Sequence, residues 1–264
     1  MNIFWHELRK NRRAALLWIL SLCGTLFLFL LMYPAMAKEG DAYLKILEGY
    51  PPELLAALSI NAKLLLTFEG FLSYVDLYLF LALAVLAMNL GLRLLGKEIS
   101  GKTADFLLTK PRRRFALFTP KLLSGLSILL VTNLFLLLTA TLAEALLKEG
   151  PRDLRLLLLL QLAGFLLSLL FYAFGAFLGV LLRKIRFTVS LALSTVFGFF
   201  ALAMVSQILD KAYLTWFTPF RYFELMPILE NRHLDGPHLL LSLLLTVFFT
   251  GAAYALLERR EIHA

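Results

Sequence analysis

Glu98-Ile-Ser-Gly-Lys-Thr-Ala-Asp-Phe-Leu-Leu-Thr-Lys-Pro111, followed by Arg112, Arg113 and Arg114, is the stretch whose reading decides the fold. Begun two residues earlier, Gly96-Lys-Glu-Ile-Ser-Gly-Lys-Thr103 satisfies the phosphate-loop pattern G-x-x-x-x-G-K-[ST] letter for letter. That loop works only where a buried strand enters it and a helix leaves it, so that backbone N–H groups converge on phosphate. The residues upstream, Leu79 to Leu95, form a long apolar run that reads as a membrane helix. No room remains for a nucleotide-binding sheet, so the stretch reads as a polar connection between two membrane spans. As a helix it carries Ile99, Thr103, Phe106 and Leu107 on one face, at i, i+4, i+7 and i+8. Lys102, Asp105 and Thr109 point elsewhere, and Pro111 marks its end. The apolar face either rests on lipid headgroups or is presented to a soluble partner.

Composition agrees with a membrane chain. Hydrophobic residues make up 60% of the 264 and charged residues 17%, with a mean hydropathy of +0.80. A soluble domain has about 45–50% apolar and about 25% charged residues. The net charge of +8 does not point to nucleic acid, because the charges gather at the ends of apolar runs. The single cysteine, Cys23, lies inside the first apolar run and reads as a small buried apolar residue, which rules out an intrachain disulfide. His6, His233, His238 and His263 are scattered without ligand spacing, so no metal site is expected.

In chain order, residues 1–13 read as a helix lying in the headgroup plane. Ile3, Phe4 and Leu8 share one face with Trp5 at its edge, and Glu7, Lys10 and Arg13 lie opposite. Residues 14–36 are the first span; Ala35-Met-Ala37 imitates a signal cleavage site, but the apolar run exceeds the about 7–15 residues of a signal peptide. Pro51-Pro52-Glu-Leu-Leu-Ala-Ala-Leu58 then reads as a helix on the outer membrane surface. Further spans are expected over 71–95, 122–147, 154–182, 187–209 and 238–257. Within the fourth, Gly175-Ala-Phe-Leu-Gly179 has the small-xxx-small spacing that lets helix backbones approach, within one chain or between two.

Lys and Arg set the orientation. One side of the membrane holds four before the first span, eight from Arg93 to Lys121, three from Arg183 to Arg186 and two in the tail; the other holds nine. Both termini and the 98–114 connection are therefore expected in the cytoplasm. On the outer side, Pro219 interrupts any helix arriving from Tyr213, and Phe217, Phe220, Tyr222 and Phe223 give the segment more aromatic surface than a free loop carries. Such rings sit either in the headgroup belt or over the outer mouth of a pathway. Backbone freed by Pro at membrane depth needs protein or water around it, which favours the second, with Pro219, Phe220, Tyr222 and Phe223 as an external gate.

An ion-driven transporter needs ionisable groups near the bilayer midplane. Here Asp76 and Glu144 lie near the outer ends of their spans, while Asn89, Asn133 and Gln161 cannot be charged. A membrane enzyme needs clustered His, Asp or Glu; Glu98, Asp105 and His6 are scattered among bases. Free energy for any transport must then enter through a cytoplasmic surface, and a non-transporting scaffold or sensor is the alternative.

Glu98, Lys102-Thr-Ala-Asp-Phe-Leu-Leu-Thr-Lys-Pro111, Arg114 and Lys121 follow the order of a known motif. The stretch resembles the cytoplasmic loop of the permease subunits of ATP-binding-cassette (ABC) transporters of the ABC-2 type. The departure lies at Arg112 and Arg113, where that family more often has an aliphatic residue and Ser or Thr. Thr218-Pro-Phe-Arg-Tyr-Phe223 and the tail Glu258-Arg-Arg-Glu-Ile262 support the resemblance, which covers nearly the whole chain in order and spacing.

The resemblance implies an all-α integral membrane protein of one domain, residues 1–264, with six transmembrane helices and both termini cytoplasmic. An N-terminal interfacial helix would pack beside a coupling helix between helices two and three. It implies that Glu98, Thr103, Asp105, Phe106 and Leu107 meet a cytoplasmic ABC ATPase dimer that binds ATP and Mg, with no cofactor in this chain. A second copy or a sister permease, lipid around the bundle, outward transport and a prokaryotic cell membrane complete the expectation.

Overall fold

The computed structural model describes residues 3–51, 62–100, 114–182, 187–209 and 212–259. The described residues form helices α1 (Ile3–Leu30), α2 (Tyr33–Lys38), α3 (Gly40–Glu48), α4 (Ala62–Leu65), α5 (Phe68–Ser100) and α6 (Arg114–Leu147). They continue with α7 (Leu154–Leu181), α8 (Thr188–Leu209), α9 (Ala212–Thr215), α10 (Pro219–Tyr222), α11 (Leu225–Asn231) and α12 (Gly236–Arg259). No strand occurs among the described residues.

Among the described residues six apolar segments are long enough to cross a membrane: Ile3–Lys38, Phe68–Arg93, Phe118–Leu147, Leu154–Leu181, Thr188–Leu209 and Gly236–Glu258. The first differs from its expected form. Residues 1–13 and 14–36 read as two pieces, yet Ile3–Leu30 is one helix, since neither Gly nor Pro interrupts it before Gly24. It stops instead at a turn over Leu31 and Met32, because Pro34 in the first turn of α2 has no N–H for the Leu30 carbonyl. Pro52 to Leu58, Arg183 to Arg186 and the end of the basic tail lie outside the described residues.

Spans two and four, α5 and α7, form the centre. The apolar stretches of these two are 72% and 67% buried, against 17% and 11% for spans five and six. Lipid is as apolar as leucine, so helices in a membrane associate through close packing rather than through escape from water. Small residues make that packing possible: Ala84, Ala87, Ala163, Ala173 and Ala176 are all buried on the two central helices. Span one packs on span three, span five on span two, and span six on span four. Three phenylalanines of α7 tie the outer helices to the centre. Phe171 and Phe174 each lie 6.1 Å from Phe199 of α8, and Phe174 and Phe177 lie 4.9 and 5.5 Å from Phe249 of α12.

Alternation of six spans puts connections one–two, three–four and five–six at one end (the far end) and both termini at the other (the terminal end). Ion pairs lace the far end together. Lys148 pairs with Glu69 and, at 3.4 Å, with the fully buried Glu144, which also accepts the Asp153 N–H at 3.0 Å. Burial pulls the Lys148 ammonium down, but Glu69 and Glu144 outweigh it and hold it above its ordinary value. Asp153 caps α7 by accepting the Leu156 N–H at 3.1 Å, and Arg232 reaches it at 3.0 Å from the five–six connection.

Candidate functional site

Three groups of residues stood out in the sequence: the 98–107 connection, the glycine pair of span four, and the 219–223 segment. Glu98 lies in the last turn of α5, whereas Thr103, Asp105, Phe106, Leu107 and Pro111 lie outside the described residues. Gly96 to Ser100 continue the 33-residue helix α5, so the phosphate-loop pattern is entered from a helix rather than from a strand. Its first residues therefore cannot bend their N–H groups around a phosphate, because those groups already serve the helix.

Gly175 and Gly179 face span two of the same chain. A Cβ at Gly175 would meet the Met88 carbonyl oxygen at 2.4 Å, and one at Gly179 would meet that of Leu92 at 3.2 Å. The approach is reciprocal: a Cβ at Gly91 would lie 2.4 Å from the Tyr172 carbonyl oxygen. Gly91 was not singled out in the sequence, although Ala87-x-x-x-Gly91 carries the same small-residue spacing. Nearby, Gln161 Nε2 of α7 donates to Asp76 Oδ2 of α5 at 2.9 Å, joining the central helices toward the far end.

The five–six connection folds into α9, α10 and α11 and covers the far end of spans two, four and five. Its aromatics divide. Trp216 and Phe217 are 49% and 72% exposed, in the manner of a headgroup belt, while Phe220, Tyr222 and Phe223 are buried. Phe220 sits 5.4 Å from both Phe171 of α7 and Phe200 of α8. Pro219 starts α10, where its missing N–H costs nothing. Tyr222 donates its hydroxyl proton to the Trp216 carbonyl at 2.5 Å and stacks on His238. Burial pushes the Tyr222 phenol above its usual range.

Beneath this cover lies a cavity of about 270 Å³. Ser73, Leu77 and Phe80 of α5, Leu167 of α7 and Ala203 of α8 wall it below the connection. On the connection itself Arg221 pairs with Glu224, and Gln207 Nε2 of α8 donates to the same carboxylate oxygen at 3.1 Å. Burial pushes the Glu224 carboxyl above its ordinary value, with Arg221 and Gln207 opposing.

At the terminal end, Lys121 donates to Glu7 at 3.2 Å, with both side chains under 10% exposed. The sequence placed Glu7 on a polar face with Lys10 and Arg13; burial against Lys121 corrects that. Thr119 and Tyr254 share a hydrogen bond of 2.8 Å, and the Phe118 and Tyr254 rings lie 4.5 Å apart, so the start of span three also holds the end of span six. Among the described residues no three His, Cys, Asp or Glu side chains converge as a metal site.

A six-span bundle with a polar connection between its second and third spans meets a family match of nearly full length. The family model described as ABC-2 family transporter protein matches residues 1–262. The chain belongs to that family. No curated protein matches it. As an ABC-2 transporter it is a multi-pass membrane permease, and membership implies association with an ABC ATPase subunit. Lys121, placed by the motif order just after the connection, is in this permease the residue that binds the N-terminal helix through Glu7.

Proposed function

We propose that this permease exports its substrate with free energy from ATP hydrolysed in a separate, soluble ATPase. The family match over residues 1–262, with the polar stretch 101–113 between spans two and three, carries the reading. Glu98, Thr103, Asp105, Phe106 and Leu107 form the face that docks on a pair of ATPase copies, which bind ATP and Mg. A second copy of this chain or a sister permease completes the pathway in a prokaryotic cell membrane. The chain itself holds no cofactor and no nucleotide; the helical approach to Gly96–Thr103 supports this.

Packing supports the transmission. α5 runs unbroken from Phe68 to Ser100, so a push on the connection acts directly on the most buried helix pair. The Glu7–Lys121 pair ties span one to the start of span three, on the other side of the same connection. At the far end we propose that Pro219, Phe220, Tyr222 and Phe223 act as the external gate, supported by the seating of Phe220 between α7 and α8.

The docking face is tested by Phe106→Ala/Leu107→Ala. Each large-to-small change at a well-packed anchor costs about 2–4 kcal/mol, enough to abolish a moderate association. The variant is expected to insert normally and to lose co-purification with the ATPase and its substrate-stimulated hydrolysis. Unchanged coupling refutes docking through this face and leaves it resting on lipid headgroups.

A further inference from the structure

The first turns of span one carry a charge pattern that the fold leaves unbalanced. Arg9, Lys10, Arg12 and Arg13 are all exposed, within one short stretch of α1. Glu7 is the one acidic residue of that helix, and it is buried against Lys121 of α6, away from the cations. Among the described residues no carboxylate pairs with any of the four. Like charges three or four residues apart on a helix repel each other. Arg9 meets Arg12 and Arg13 in this way, and Lys10 meets Arg13. Orientation in the membrane does not explain the crowding, because cations spread over about 15–20 residues beside a span set it equally well. An anion seated among the guanidinium groups relieves the repulsion.

The rest of the same helix face says where that anion comes from. Leu16, Leu17 and Leu20 continue the face at one-turn steps and are 56%, 66% and 69% exposed, as leucines against acyl chains are. At 1.5 Å per residue, the roughly 20 residues after Arg13 cover a hydrocarbon core of about 30 Å. Arg9 to Arg13 rise only about 6 Å beyond it, which is the depth of the headgroup layer. Trp5, 56% exposed one turn before Arg9, closes the band on the water side, as interfacial tryptophans do. The anions at this depth, continuous with acyl chains, are lipid phosphates. A guanidinium fork matches two phosphate oxygens, and Arg9, Arg12 and Arg13 stand as a triangle on the helix surface. Net charge narrows the class. A zwitterionic headgroup would bring its own ammonium to a band of cations that has no carboxylate to receive it.

We infer that the outward face of α1 at the terminal end is a binding site for an anionic phospholipid. Its phosphate lies among Arg9, Arg12 and Arg13, and one acyl chain runs along Leu16 and Leu20. The inference rests on this helix face and not on ATPase docking or the direction of transport.

The test titrates the full chain in neutral-detergent micelles with phosphatidylglycerol or phosphatidylcholine of matched acyl chains, and native mass spectrometry counts the bound lipid. Phosphatidylglycerol is expected to bind saturably and about 10-fold tighter than phosphatidylcholine, a preference that shrinks as salt rises. Arg9→Gln/Arg12→Gln/Arg13→Gln should bring the two lipids within about 2-fold of each other. Lys38→Gln/Arg155→Gln removes exposed cations at the far end instead and should leave the preference unchanged. Loss of three cations can also disturb insertion, so His6→Glu is the second variant. It keeps every Lys and Arg and sets an exposed carboxylate three and four residues before Arg9 and Lys10. It should lower the preference about 3-fold. Equal binding of the two lipids by the parent chain, an equal loss in the far-end variant, full competition by inorganic phosphate, or an undiminished preference in either variant of the outward face overturns the assignment.

Discussion

Gly175→Ala puts a methyl group in place of a hydrogen at one of the tightest points between the two central helices. The new Cβ would lie 2.4 Å from the Met88 carbonyl oxygen and 3.1 Å from the Met88 Cα. Ordinary contact begins near 3.4 Å, so α5 and α7 must part by about 1 Å. A gap of that size forfeits about a quarter to a half of each dispersion contact it opens, and the seam includes the Gly91–Tyr172 and Gly164–Phe80 approaches. Overpacking of this kind costs about 1–3 kcal/mol, and backbone opposite backbone places this site at the upper end. Gly91→Ala, 2.4 Å from the Tyr172 oxygen and 2.6 Å from the Ala176 nitrogen, should cost as much. Gly179→Ala, at 3.2 Å, should be nearly neutral. Gly198→Ala meets nothing within 4 Å and should stabilise by up to about 1 kcal/mol through helix propensity. Because one separation relieves both clashes, Gly91→Ala/Gly175→Ala should cost less than the two singles added together. Reversible unfolding of monomeric protein in mixed micelles reads all five variants. A Gly175→Ala protein as stable as Gly198→Ala refutes the reasoning and assigns the spacing to contacts outside this chain.

Two further predictions concern the ends of the bundle. Glu7→Met removes the carboxylate to which Lys121 donates across spans one and three and should cost about 1–3 kcal/mol in the same unfolding assay; a variant within about 0.5 kcal/mol of the parent refutes a structural role for the pair. For the gate, Phe220→Cys in a Cys23→Ser background should be shielded from an aqueous thiol reagent in the packed arrangement, where Phe220 is 8% exposed, and should change its labelling when the partner ATPase is trapped with ATP. Equal labelling with and without nucleotide makes the segment a passive anchor.

The six spans were legible because hydrophobic length is a one-dimensional quantity: about 20 apolar residues cross a bilayer whatever surrounds them. The phosphate-loop pattern could be set aside for a similar reason, since a long apolar run upstream of Gly96 leaves no strand to enter the loop. The Gly175-x-x-x-Gly179 spacing announced a close helix contact, and Pro219 with its neighbouring rings announced a folded segment rather than a free loop. Each of these is a property of a short window of chain.

Partners are not. Glu7 and Lys121 are 114 residues apart, and Asp76 and Gln161 are 85 apart; nothing in either window says that the other will face it. The helical periodicity of residues 3–13 put Glu7 on a polar face, which is correct for a helix alone in a headgroup layer and wrong for one laid against span three. Likewise Phe217 and Phe220 are alike in sequence, yet one is 72% exposed and the other wedges between two spans. Local composition therefore determined how many times the chain crosses. Only the tertiary packing decided that spans two and four form the centre, that their glycines meet each other within one chain, and that Arg221 pairs with Glu224 beside a cavity. The reason is geometric: which faces meet depends on the simultaneous fit of all six helices, and no single stretch contains that fit.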